Sequence, residues 1–183
     1  MEPVRARAFE IIKQRSFGLK PTMLVSGRES HFYFDMKPSM FHPEGAALLP
    51  ELILQKLAGL KVDYIAGLEM GAVPLIVAVS LLSQLQGRPI PGFFVRKNVK
   101  DHGSKKLIDG TTDSIEGKHV VVLEDVTTTG SSAMAAVKAV QAAGGKVVLV
   151  LTLVDREEGA IENFKALGLK FDWVYNASEF LAA

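Results

Sequence analysis

The sequence predicts an α/β fold, with a central, mostly parallel sheet, helices on both faces and a small N-terminal hood. Three observations lead there. Short β-type apolar runs at Tyr64-Ile65-Ala66, Val120-Val121-Val122-Leu123 and Val147–Val154 alternate with helical patterns, and that alternation favours parallel strands joined by crossover helices. The length of 183 residues and the 48% hydrophobic content suit a single domain, 1–183, with a real core. The stretch up to about residue 40 falls outside the alternation, so it is expected to cap the sheet, with a contribution from the C-terminus.

Each element follows from local pattern. Val4, Ala8, Ile11 and Ile12 recur at helical spacing, and Phe17-Gly18 is expected to close that helix. His31–Asp35 is aromatic-rich and predicts a strand after a Ser26-Gly27 turn. Pro43 suits a helical first turn, and Leu48, Leu49, Leu52, Ile53 and Leu57 carry the apolar face to Gly59. A strand at 64–66, a helix from Pro74 to Gln86 and a strand from Gly92 to Val95 follow. A polar loop then runs from Lys97 to Asp113. His119–Glu124 predicts a buried strand, Ser131–Ala143 a helix ending at Gly144-Gly145, and Val147–Val154 another strand. A helix over Glu157–Leu167 and a strand over Phe171–Tyr175 complete the order.

Bulk properties exclude several function classes. Lys and Arg total 21 against 20 Asp and Glu, a net charge of +1, which gives no long-range field for nucleic acid. There is no cysteine, so disulfides, thiolate metal sites and a cysteine nucleophile are all excluded. The apolar runs are too short to span a bilayer. The opening Met1-Glu2-Pro3-Val4-Arg5 carries charges where a signal peptide needs apolar residues, so a cytoplasmic protein without membrane partners is expected. Neither G-x-x-x-x-G-K-[ST] nor G-x-G-x-x-G occurs, against a P-loop NTPase or a dinucleotide oxidoreductase.

The chemistry concentrates in Val120–Ser132. Two adjacent carboxylates, Glu124 and Asp125, end an apolar strand, where open α/β sheets bind ligands. Val126-Thr127-Thr128-Thr129-Gly130-Ser131-Ser132 then forms a hydroxyl-rich turn that opens a helix. Backbone N–H groups, hydroxyls and the helix dipole can converge there on one phosphate. Acids beside a phosphate repel the ligand unless they hydrogen-bond its hydroxyls or share a cation with it, so a sugar phosphate with a free diol and Mg²⁺ answers both needs. Upstream, Arg96–Lys106 holds six basic or imidazole side chains in eleven residues. Such a loop is either a solvated basic segment or a lid that closes over a leaving group.

The strand, acid pair, turn and helix together resemble the ribose-5-phosphate signature of the type I phosphoribosyltransferases, which use phosphoribosyl pyrophosphate (PRPP). The spacing Arg96-Lys97, Lys100, His102-Gly103 is similar to the catalytic loop of the orotate phosphoribosyltransferases among them. Leu24–Asp35 resembles their hood, whose aromatics lie against orotate, and Val154-Asp155-Arg156 resembles the strand end where an arginine meets the base. Thr127 stands where many members carry an aliphatic residue, and Val25 and the Gly67–Pro74 loop lack lysines that some members have.

The resemblance implies transfer of ribose 5-phosphate from PRPP to orotate, in the de novo pyrimidine (UMP) pathway. It implies Lys100, His102, Glu124 and Asp125 as catalytic residues. Arg96, Lys97, Lys100, His102, Glu124, Asp125, Val126, Thr127, Thr128, Thr129, Gly130, Ser131 and Ser132 would hold PRPP, and Thr128, Arg156, Tyr33 and Phe34 would hold orotate. Mg²⁺ would be held through substrate and waters near Glu124 and Asp125, without direct protein ligands. A homodimer sharing the 97–106 loop between subunits is also implied. The rivals are a phosphoribosyltransferase for another base, and a regulator that senses PRPP without catalysis.

Overall fold

The computed structural model describes residues 3–23, 29–98 and 107–183. The order is α1 (Pro3–Arg15), β1 (Phe17–Met23), β2 (Glu29–Phe34), α2 (Lys37–Met40), α3 (Pro43–Lys56), β3 (Tyr64–Ala66), α4 (Val73–Leu85) and β4 (Phe94–Val95). It continues with β5 (Ile108–Asp109), β6 (His119–Thr127), α5 (Ser131–Ala142), β7 (Lys146–Asp155), α6 (Ala160–Ala166), β8 (Phe171–Asn176) and α7 (Ala177–Leu181).

The central sheet runs β3-β6-β7-β8, all parallel. Residues 91–95 extend it beyond β3, because Phe93 N–H donates to the Ile65 carbonyl at 3.1 Å and Val95 N–H to the Gly67 carbonyl at 2.8 Å. The sheet is covered on both sides, as all-parallel sheets require. On one face Val121, Leu123, Leu149, Leu151 and Leu153 pack with α1, α3 and α4 through Ile12, Leu49, Ile53, Leu75 and Val79. On the other, Val120, Val122 and Val150 meet Ala133, Ala136, Val137 and Val140 of α5 and Phe164 of α6. The two-residue period of the strands thus deals successive side chains to two cores.

The hood is an antiparallel hairpin of β1 and β2 with Phe17 opposite Phe34. Phe17 therefore opens a strand; the predicted helix closure falls two residues earlier, at Arg15. The C-terminus joins the hood through α7. Phe180 lies 4.3 Å from Phe9 and 5.1 Å from Phe34, centroid to centroid. A capping box, in which Asn176 and Glu179 bond reciprocally, starts α7, and Arg5 holds Glu179 at 2.7 Å.

Other boundaries move for local reasons. Strand β6 continues to Thr127 rather than stopping at Glu124, since Val126 and Thr127 still pair with Val154 and Asp155. Helix α6 begins at Ala160, not Glu157: Glu157 has φ 61° and the N-cap Gly159 has φ 97°, so the chain turns twice in the left-handed region first. The polar 97–113 segment contains β5, which returns to pair with β4. Among the described residues, no helix is long and apolar enough to cross a membrane.

Candidate active site

Strand β6 carries the acid pair deep into the protein. Glu124 is 6% exposed, and its Oε2 is buried with no hydrogen-bond partner among the described residues. Burial foremost, then the neighbouring charge of Asp125 and a hydrogen bond to it, push the Glu124 carboxyl well above its usual range; the Lys97 charge opposes this. Asp125 is half-buried, and its Oδ1 accepts the Val126 N–H at 2.9 Å. Burial raises the Asp125 carboxyl too, against the lowering effects of the Val126 N–H, Glu124 and the charge of Lys37.

The two acids serve different neighbours. The loop after β3, Gly67–Pro74, passes over Asp125 so closely that a Cβ on Gly71 would lie 2.6 Å from Asp125 Oδ1. Glu124 instead opens, with Val126 to Ser132, onto a cavity of about 50 Å³. A water needs roughly 10–15 Å³ on this measure, so the cradle has room for a small tetrahedral anion. Gly130 makes its floor. Its φ of 87° and the Phe164 ring, 2.6 Å from where a Cβ would sit, leave space only for glycine. Helix α5 then starts with no side-chain cap and no acid in its first turn, so its free N–H groups face the cradle. The Thr127 Oγ1 is buried without a partner among the described residues, and Asn163 Nδ2 braces the loop by donating to the Thr129 carbonyl at 2.9 Å.

Arg156 follows the end of β7, beside Thr127 of the cradle. Its backbone N–H donates to the Thr127 carbonyl at 2.9 Å, tying the end of β7 to the cradle. The side chain is buried, with Nε on Glu158 Oε1 at 2.8 Å and Cζ 4.3 Å from the centroid of Phe32. The hood therefore meets Arg156 through Phe32. Phe34 turns into the aromatic cluster with Phe17 and Phe180. Tyr33 lies on the other side of β2, packed over Gly18 with Lys20 4.8 Å from its ring centroid. Neither Tyr33 nor Phe34 is brought to Arg156. The alternation of β2 separates Tyr33 from its two neighbours, but nothing in the sequence says which of Phe32 and Phe34 faces the cleft.

At the edge of the sheet, Arg96 pairs with Asp109 at 2.6 Å and approaches Glu69 at 4.0 Å, while the Lys97 N–H donates to Glu69 Oε1 at 2.9 Å. Glu69 and Asp109 carry no motif that marks them in sequence. Lys100 and His102 lie outside the described residues. A second, larger cavity of about 600 Å³ lies between 107–115 and the end of α5.

Residues 40–179 match the Phosphoribosyl transferase domain family. The chain is 56% identical over 181 residues to an orotate phosphoribosyltransferase of Bradyrhizobium diazoefficiens, covering 98% of this chain and 97% of that one. It is 44% identical over 178 residues to one of Sorangium cellulosum, covering 97% of this chain and 93% of that one. Among solved structures, the orotate phosphoribosyltransferase of Mycobacterium tuberculosis in complex with Fe(III) dicitrate superposes with a TM-score of 0.84 at 38% identity, over 97% of this chain and 99% of that one. The same enzyme in complex with PRPP gives 0.80 at 36% identity, over 97% and 99%. Hood, acid pair, cradle and buried arginine thus sit in a chain matched over nearly its whole length, and the chain belongs to the orotate phosphoribosyltransferases.

Proposed function

We propose that the cleft at the carboxyl ends of β6 and β7 transfers ribose 5-phosphate from PRPP to orotate, giving orotidine 5′-monophosphate and pyrophosphate in pyrimidine biosynthesis. One observation carries the reading: an acid pair with Glu124 buried and Asp125 half-buried, an anion-sized cradle at a helix start and a buried arginine are joined within β6, the α5 start and the end of β7. A bond forms between an orotate ring nitrogen and the anomeric carbon as the bond from that carbon to pyrophosphate breaks, and the proton of that nitrogen leaves to solvent or to the departing pyrophosphate. Such a displacement needs alignment and neutralisation of the leaving group more than covalent help.

The residues divide this work. Thr127 to Ser132, with the backbone of Val126, hold the 5′-phosphate. Glu124 and Asp125 accept the ribose diol hydroxyls; Glu124 Oε2, buried without a partner among the described residues, supports that role. Arg96, Lys97, Lys100 and His102 supply positive charge at the pyrophosphate. Arg156 offers the orotate carboxylate a planar fork, with Thr128 beside it. Phe32, stacked on Arg156, adds an aromatic contact for orotate beside Tyr33 and Phe34 of the same hood strand.

The acid pair also suits Mg²⁺, a hard cation that prefers oxygen ligands and keeps its waters. Glu124 and Asp125 would hold it through those waters and the substrate, and when bound it supplies further neutralisation of the pyrophosphate. The chain acts as a single domain, in the cytoplasm, as a homodimer whose 97–106 loop serves the neighbouring site. In support of the dimer, Val77, Leu81 and Leu85 of α4 form an i, i+4, i+8 stripe exposed at 63%, 61% and 74%, an apolar face suited to burial against another subunit.

Loss of orotate absorbance with PRPP and Mg²⁺ tests the assignment, run beside uracil, adenine, hypoxanthine and guanine. Orotate is expected to react fastest. Equal or faster turnover of a purine refutes the choice of base, and no turnover of any base favours the PRPP sensor.

A further inference from the structure

We propose that Glu69 and Asp109 are positioning residues for this reaction, joining the Gly67–Pro74 loop to the base of the basic loop through Arg96 and Lys97. The inference rests on the transferase assignment above. Neither Val25 nor any residue of Gly67–Pro74 is a cation, so neutralising pyrophosphate falls on Arg96 and the residues after it. Where Arg96 is held therefore matters more here.

The geometry holds it from two sides. Arg96 Nε and Nη2 both donate to Asp109 Oδ2, at 2.9 and 2.6 Å, from the strand that follows the loop. Nη1 lies 4.0 Å from Glu69 Oε2, on the loop that overlies Asp125. The other Glu69 oxygen accepts the Lys97 N–H at 2.9 Å. Backbone bonds repeat the tie: Glu69 N–H donates to the Val95 carbonyl and Arg96 N–H to the Leu107 carbonyl, each at 2.9 Å. Both stems of the basic loop and the Gly67–Pro74 loop thus converge on one guanidinium.

Stability does not explain this arrangement. The side chains of Arg96, Glu69 and Asp109 are 24%, 26% and 36% exposed, and partly solvated ion pairs contribute little to folding. Two acids beside a pyrophosphate site would also repel the substrate. Orientation offsets that repulsion. Bonded to Asp109 along one edge, the guanidinium keeps the edge toward Glu69 in a set direction, and Glu69 fixes the first peptide of the loop.

Steady-state kinetics on Glu69→Ala, Glu69→Gln and Asp109→Asn, with melting curves, test the proposal. Glu69→Ala removes the acceptor for the Lys97 N–H, so kcat/KM for PRPP is expected to fall about five-fold, the worth of one hydrogen bond. The KM for orotate stays within about two-fold. Glu69→Gln keeps an amide oxygen for that N–H and recovers most of the loss. Asp109→Asn lowers kcat/KM for PRPP in the same direction, and adding it to Glu69→Ala costs less than the product of the single losses, because both act on Arg96. Three results overturn the proposal: unchanged or improved use of PRPP in Glu69→Ala, no rescue by glutamine, or equal losses for both substrates that track a lowered melting temperature. Calorimetric titration of the same proteins with pyrophosphate keeps the two readings apart. A wild type that binds pyrophosphate but turns over no base refutes the transferase assignment, while weakened pyrophosphate binding in Glu69→Ala still upholds the tie.

Discussion

Replacing Glu124 with glutamine should make the protein more stable and a poorer enzyme. Glu124 is 6% exposed, its Oε2 has no partner among the described residues, and its carboxyl is raised chiefly by burial and secondly by Asp125. The folded state therefore holds the Glu124 proton more tightly than the unfolded chain does. That stabilising preference is intact below the ordinary carboxyl range. It is lost as pH rises toward the raised value, at a limiting slope of about 1.4 kcal/mol per pH unit. Glutamine has no proton to lose, and its amide keeps one donor and one acceptor at this position. At pH 8 the gain should approach the cost of one unsatisfied buried polar group, about 1–3 kcal/mol. For a chain of this length that is roughly 2–12 °C in melting temperature, shrinking toward zero near pH 4. Turnover should fall more than about ten-fold, since a charged acceptor for the ribose diol is gone. Scanning calorimetry at pH 4, 6 and 8, with orotate consumption on the same preparations, measures both effects. A variant that melts below wild type at pH 8 and keeps normal turnover per folded molecule would refute the reasoning.

Further outcomes follow from the same geometry. Asp125→Asn should collapse turnover while leaving the fold intact; a large drop in melting temperature with normal residual activity would make Asp125 structural. Arg156→Ala should weaken orotate binding by about 1.5–3 kcal/mol, the range for a charged hydrogen bond, with PRPP affinity nearly unchanged. A loss confined to PRPP in a calorimetric titration would exclude Arg156 as the orotate contact. Gly130→Ala meets both a left-handed φ of 87° and the Phe164 ring, so a stability loss of at least about 1–2 kcal/mol is expected, together with weaker PRPP binding. An unchanged denaturation midpoint would contradict the constraint at Gly130. Mixing Lys100→Ala with Asp125→Asn under subunit exchange should restore activity if the loop acts in trans, because mixed dimers then hold one site free of both lesions. No recovery in verified mixed dimers would assign the loop to its own subunit.

By itself the sequence determined whatever is encoded locally. The parallel sheet was legible because Tyr64–Ala66, Val120–Leu123 and Val147–Val154 are contiguous apolar runs separated by helical periods. The cradle was legible for the same reason: Glu124 to Ser132 are consecutive, and their order alone implies a strand end, a turn and a helix start. Tertiary structure decided what depends on partners distant in the chain. Strand β6 runs on to Thr127 because β7 continues to pair with it, and that pairing carries Glu124 into the interior. Alternation put Tyr33 apart from Phe32 and Phe34, yet only packing of the hairpin against Phe180 sent Phe34 inward and left Phe32 on Arg156. Glu69, Arg96 and Asp109 meet because β4 pairs with β5 and residues 91–95 lie beside β3. Their contact joins three separate segments, and no periodicity within any one segment encodes where another will lie.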